Sequence, residues 1–109
     1  MISIPEASFE SEVLETPGIV IVHFWAPWCG LCRLISPILE QVATESSGQV
    51  QVIGINADEN FGLVTKYRLR SLPTLMVFED GQLTERLEGF HSREELRQTL
   101  TELVLTPVA

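Results

Sequence analysis

The sequence predicts an α/β domain, a central mixed β-sheet flanked by helices on both faces. Three observations predict it. Segments of strand length alternate with segments of helical period, Ile19–Trp25 is an apolar β-branched run broken only by His23, and Asp80-Gly81 is a hairpin-turn dipeptide between two strand-like segments. A weak opening strand leads to Ser8, placed to cap a short helix carrying Phe9, Val13 and Leu14, which Pro17-Gly18 ends. Ile19–Trp25 then reads as a strand buried on both faces. After Cys29 the spacing turns helical, with Leu31, Leu34, Ile35, Ile38, Leu39 and Val42 recurring every three or four residues. Pro37 falls inside this helix and predicts a kink rather than an end, because the apolar stripe continues past it. Ser46-Ser47-Gly48 closes the helix. Val50–Asn56 is a second central strand, residues 60–67 a short helix, 74–78 a third strand and 83–88 the strand that returns from the turn. Ser92 and Glu95 form an S-x-x-E capping box that opens a last helix with Leu96, Leu100 and Leu103 on one face. Strand–helix–strand units predict parallel pairing, and the hairpin adds an antiparallel edge.

A chain of 109 residues is the length of one domain, 1–109. Apolar types at 45% and charged types at 20% exclude disordered, collagen-like and disulfide-scaffold classes. A net charge of −8 argues against a general binder of nucleic-acid phosphates and for a soluble monomer. No apolar run approaches the roughly 18 residues of a membrane span, so no membrane role is expected. Residues 1–10 carry two glutamates and no Lys or Arg, unlike a secretory signal peptide. The expected compartment is therefore reducing: the cytoplasm, or a plastid stroma if a transit peptide was removed.

The two cysteines form a single C-x-x-C, Cys29-Gly30-Leu31-Cys32, where a buried strand hands over to a helix. So short a loop barely restrains the unfolded chain, which makes structural stapling a poor explanation. The position favours redox chemistry instead. Cys29 falls at the helix start, where free backbone N–H groups and the positive end of the helix dipole favour a thiolate. Cys32 shares its helix face at i+3 and lies one turn deeper. Cys29 thus reads as the attacking thiol and Cys32 as the resolving thiol. Lowering a thiol pKa from about 8.5 to about 7 raises its thiolate fraction about 16-fold at pH 7, while nucleophilicity falls about 5-fold. The net gain of about threefold leaves most of the advantage to the leaving group, access and substrate positioning. Half a zinc site is the competing reading. Zinc wants about four ligands, only His23 and His91 remain as imidazoles, and His91 is far along the chain, so neither metal nor other cofactor is expected.

These residues resemble the thioredoxin family over essentially the whole chain. The core Trp28-Cys29-Gly30-Leu31-Cys32-Arg33 matches its W-C-G-x-C-R/K motif, approached by Phe24-Trp25-Ala26. Pro37 matches the family's kinking proline, Ile55-Asn56 its asparagine-containing strand, Leu72-Pro73-Thr74 its Ile/Val-Pro-Thr loop and Gly89 a late glycine. The resemblance implies a thioredoxin fold and dithiol–disulfide exchange on protein substrates. It implies that Pro73 is cis and faces the cysteines, that a substrate strand pairs beside it, and that Trp28, Leu72 and Gly89 offer a shallow apolar surface. It implies as partners disulfide-containing proteins and a thioredoxin reductase, flavin- or ferredoxin-linked.

Three positions depart from the family pattern. Leu31 stands where C-G-P-C has proline, His23 replaces a buried aspartate behind the cysteines, and Gly54 replaces its lysine partner. Gly30, Leu31 and His23 are therefore read as tuning the redox couple, with a neutral His23 assisting deprotonation of Cys32. The competing reading makes His23 and Gly54 a size-compensated packing pair. Lys66, Arg68 and Arg70 read as a solvated face, or more sharply as a positive patch that, with Arg33, selects acidic partners. A thioredoxin fold used as a binding, chaperone or redox-regulatory module with weak reductase activity is the alternative function. The intact W-C-G-x-C motif argues against it.

Overall fold

β-branched and aromatic side chains are concentrated in the segments that pair into one five-stranded sheet. The computed structural model describes residues 1–90 and 92–105, with side chains through residue 102. His91 and the side chain of Leu103, both named from the sequence, lie outside the described residues. The strands are Ile2–Ser3 (β1), Ile19–Trp25 (β2), Val50–Asn56 (β3), Thr74–Glu79 (β4) and Gln82–Leu87 (β5), in spatial order β1-β3-β2-β4-β5. The helices are Gly30–Glu45 (α1), Phe61–Lys66 (α2) and Arg93–Leu105 (α3).

β2 is central, and its five inner residues are buried. Alternate residues therefore feed two cores. On one face Val20, Val22 and Phe24 pack with Phe9, Leu63 and Phe78 under α2 and the N-terminal turns. On the other, Ile21 packs with Ile35, Leu39 and Val42 of α1 and with Leu96 and Leu100 of α3. The expected helices on both faces are present. α1 runs through Pro37 without ending there.

Two local expectations are corrected. Ser8 does not cap a helix. Pro5, extended at φ −77°, starts the helical backbone at Glu6, so Ser8 already lies inside a 3-10 turn, Glu6–Ser8, followed by a π-helical turn, Glu10–Leu14. The β3–α2–β4 unit is also not parallel. β3 pairs parallel with β1 and β2, whereas β4 runs antiparallel to β2. The helix of this unit is short. A six-residue helix advances about 9 Å and a seven-residue strand about 23 Å, so α2 by itself does not carry the chain back along β3. The chain stays at the end of the sheet where β3 stopped and starts β4 there. This delivers the loop before Thr74 to the same end at which β2 releases the Cys29–Cys32 segment.

Candidate active site

Ala26 turns the chain out of β2, and its carbonyl accepts the backbone N–H of Cys29 at 3.0 Å. Cys29 is the N-cap of α1, with extended backbone, and its Sγ accepts the backbone N–H of Cys32 at 3.2 Å. A sulfur that takes a bond from an orphan N–H at a helix start is placed where negative charge is stabilised. The two cysteines are joined as a disulfide, with Cα atoms 5.3 Å apart. Both are buried, so exposure separates them less than the sequence suggests.

The Leu72–Pro73 peptide is cis, as expected from the resemblance. Leu72 packs against Ala26, Cys29 and Cys32, together with Trp25 and Leu31. Pro73 itself is buried. β4 pairs Leu75 with His23 on one side and with Leu87 on the other. Continuing both registers by two residues sets Pro73 level with Trp25 and Gly89. Gly89 is exposed at φ +73°, with open space where a Cβ would stand. Trp28 is 68% exposed beside Cys29, and its indole N–H donates to Asp58 at 2.9 Å. Gly30 is the exposed first residue of α1, and Leu31 is half-buried between the cysteines and the α1–α3 core.

Behind the disulfide lies a cavity of about 410 Å³, lined by His23, Trp25, Cys32, Arg33, Ser36 and Glu40 among others. His23 is 1% exposed, and neither ring nitrogen has a hydrogen-bond partner. Burial lowers its pKa from 6.5 to about 4, so the ring is neutral at physiological pH. Gly54 is paired with His23 in register. The room that a side chain at Gly54 would take is filled from β1 and β2: a Cβ there would stand 2.8 Å from Ser3 Oγ and 3.1 Å from Trp25 Nε1. Those two groups are themselves hydrogen-bonded across the glycine.

Sequence reasoning missed two polar contacts. Asp58 holds the Trp28 indole from 30 residues away, and the Arg33 guanidinium donates to the Pro27 carbonyl, pinning the loop before Cys29. No spacing pattern links Trp28 to Asp58; only the adjacency of the β2 and β3 ends does. Among the described residues, no group of three or more His, Cys, Asp or Glu is placed to hold a metal. No described helix is long and apolar enough to cross a membrane.

The thioredoxin family model matches residues 1–102. Thioredoxin 1 of Synechococcus elongatus is 43% identical over 98 residues, covering 90% of this chain and 92% of that protein. Thioredoxin 1 of a Nostoc species is 39% identical over 97 residues, covering 89% and 91%. A thioredoxin of Staphylococcus aureus is 38% identical over 100 residues, covering 92% and 94%. With its mixed sheet, its redox-active cysteine pair and this likeness along nearly its full length, the chain belongs to the thioredoxin family of protein-disulfide oxidoreductases.

Proposed function

We propose that Cys29 is the attacking thiol and Cys32 the resolving thiol of this oxidoreductase. The observation that carries the assignment is the N-cap position of Cys29, whose sulfur already accepts the Cys32 N–H. The Cys29 thiolate attacks one sulfur of a protein disulfide, forming a mixed disulfide and expelling the other sulfur as a thiolate. The Cys32 thiolate then attacks Cys29 Sγ, closing the intramolecular disulfide and releasing the second substrate thiolate, which takes up a proton. Two electrons pass to the substrate, and a reductase, flavin- or ferredoxin-linked, restores the dithiol. Trp28, Leu72, Pro73 and Gly89 bind the substrate chain, with its extended backbone laid beside Pro73. The common level of Pro73 and Gly89 at the ends of β4 and β5, the packing of Leu72 on the cysteines and the exposure of Trp28 beside Cys29 support this reading.

His23 tunes the couple through the cavity it shares with Cys32. Taking the full proton from a thiol of pKa about 8.5 onto a ring of pKa about 4 would cost about 6 kcal/mol. Its part in Cys32 deprotonation is therefore not to hold the full proton but to stand as a neutral polar ring in the cavity it shares with Cys32, adding no charge there. Gly30 and Leu31 set the stiffness of the first turn of α1. The reading extends to one monomeric domain, 1–109, working without a cofactor in a reducing compartment, cytoplasm or plastid stroma.

The test is trapping. Incubated with an oxidised protein substrate, Cys32→Ser should accumulate a mixed disulfide through Cys29, seen by mass spectrometry, and Cys29→Ser should accumulate none. The reverse pattern would exchange the roles. Full biological activity of Cys29→Ser would select a binding module instead. A reduction potential near the about −270 mV of reducing thioredoxins supports a reductant, and one above about −200 mV overturns that direction.

A further inference from the structure

A second cavity, about 490 Å³, is lined by Lys66, Tyr67, Arg68 and Arg70, on the segment that leads into Leu72–Pro73, and by Arg86. Four of the seven basic residues of a chain with net charge −8 therefore face one hollow. The cluster is built, not incidental. Arg86 on β5 is drawn in by donating to the carbonyls of Tyr67 and Arg68, while its Nε is buried with no partner. Arg68 stands at φ +51°, a left-handed backbone that a side-chain-bearing residue adopts at a cost. Lys66 lies 5.6 Å from the Tyr67 ring, and among the described residues neither Lys66 nor Arg68 forms an ion pair. One carboxylate already reaches the cluster: Glu88 lies 3.6 Å from Arg70 and 3.5 Å from Arg86. The hollow thus accepts a carboxylate and retains excess positive charge around it.

We propose that this hollow docks an acidic segment of the protein whose disulfide is exchanged at Cys29–Cys32. The proposal rests on the exchange reading above and adds a substrate class to it. Arg70 is two residues before Leu72, which packs on the cysteines, and its side chain is 82% exposed. Three extended residues from Pro73 to Arg70 span at most about 10 Å, and the arginine side chain adds several more. At about 3.3 Å per extended residue, the acidic position falls about three to five residues from the attacked cysteine. Two carboxylates facing such a cluster, each adding severalfold at a partly exposed site, give about tenfold discrimination.

The experiment uses three peptides with the same disulfide and a Glu-Glu, Gln-Gln or Lys-Lys pair about four residues from the attacked cysteine. The full chain should reduce the Glu peptide with a kcat/KM about tenfold above the Gln peptide at low salt, with the Lys peptide lowest. The order should compress to within about twofold at about 0.5 M salt. The exposed double variant Lys66→Glu/Arg70→Glu should invert the Glu and Lys peptides, a result that a misfolded protein cannot give. Equal rates for the Glu and Gln peptides, or a Glu preference that survives in the double variant, would overturn the docking site while leaving disulfide exchange intact. No turnover of any peptide would fell the exchange reading, and this proposal with it.

Discussion

His23→Leu tests the most unusual residue of the site. The native ring is 1% exposed, and neither nitrogen is paired. Unfolded, the imidazole takes up a proton below pH 6.5; folded, only below about 4. Between those values the unfolded chain binds more protons, so stability present at neutral pH is lost as the pH falls. The gap between 6.5 and about 4, at about 1.36 kcal/mol per unit, is worth about 3 kcal/mol. Leucine is close in volume, has no polar atom to bury and does not titrate, so the variant should gain about 1–3 kcal/mol at pH 7.5. The assay is urea unfolding followed by tryptophan fluorescence at steps from pH 7.5 to 4, for both proteins. Carboxylates titrate alike in both and cancel in the difference. The difference should be constant above pH 7 and widen by about 3 kcal/mol by pH 4. A difference that stays flat across the range would refute the argument that burial alone holds the ring neutral.

Three further outcomes follow from the backbone. Gly54→Ala sets a Cβ 2.8 Å from Ser3 Oγ and 3.1 Å from Trp25 Nε1, and should cost about 1–3 kcal/mol in urea unfolding, with a changed Trp25 near-ultraviolet signal. Gly81→Ala is more severe, because its Cβ would stand 2.1 Å from the Leu14 carbonyl oxygen at φ +82°, and backbone cannot move aside as a side chain can. It should cost about 3 kcal/mol or more, read from the same midpoints. Arg68→Gly should instead raise stability by about 0.5–1 kcal/mol by relieving the left-handed backbone, while weakening discrimination for acidic peptides.

The sheet, its long central helix and the cysteine site were legible because their signals are local. The apolar run of Ile19–Trp25, the stripe from Leu31 to Val42 and the cysteine pair at a strand–helix junction each follow from spacing alone. The direction of β4 was not legible from the strand–helix–strand rule. That rule assumes a helix long enough to return along the strand, and Phe61–Lys66 is under two turns. Ser8 misled because its capping chemistry is real, but Pro5 starts the turn before it.

What the antiparallel β4 does for the site is the deeper point. A full-length parallel crossover would start β4 at the far end of the sheet and leave Pro73 remote from the cysteines. The short α2 returns the chain at the near end, so the segment that follows it ends at the rim that carries Cys29. That segment holds both the cis Leu72–Pro73 peptide, whose Leu72 packs against the disulfide, and, earlier along it, the Lys66, Arg68 and Arg70 cations of the second hollow. Arg86 joins from β5 only because β5 is the edge strand next to β4, eighteen residues beyond Arg68. In the sequence Lys66, Arg68 and Arg70 read as a solvated face or as a positive patch completed by Arg33; in the structure the fourth cation of their hollow is Arg86, not Arg33. In the fold they share a hollow, because the connection that fixes the strand direction also fixes where its charges must stand.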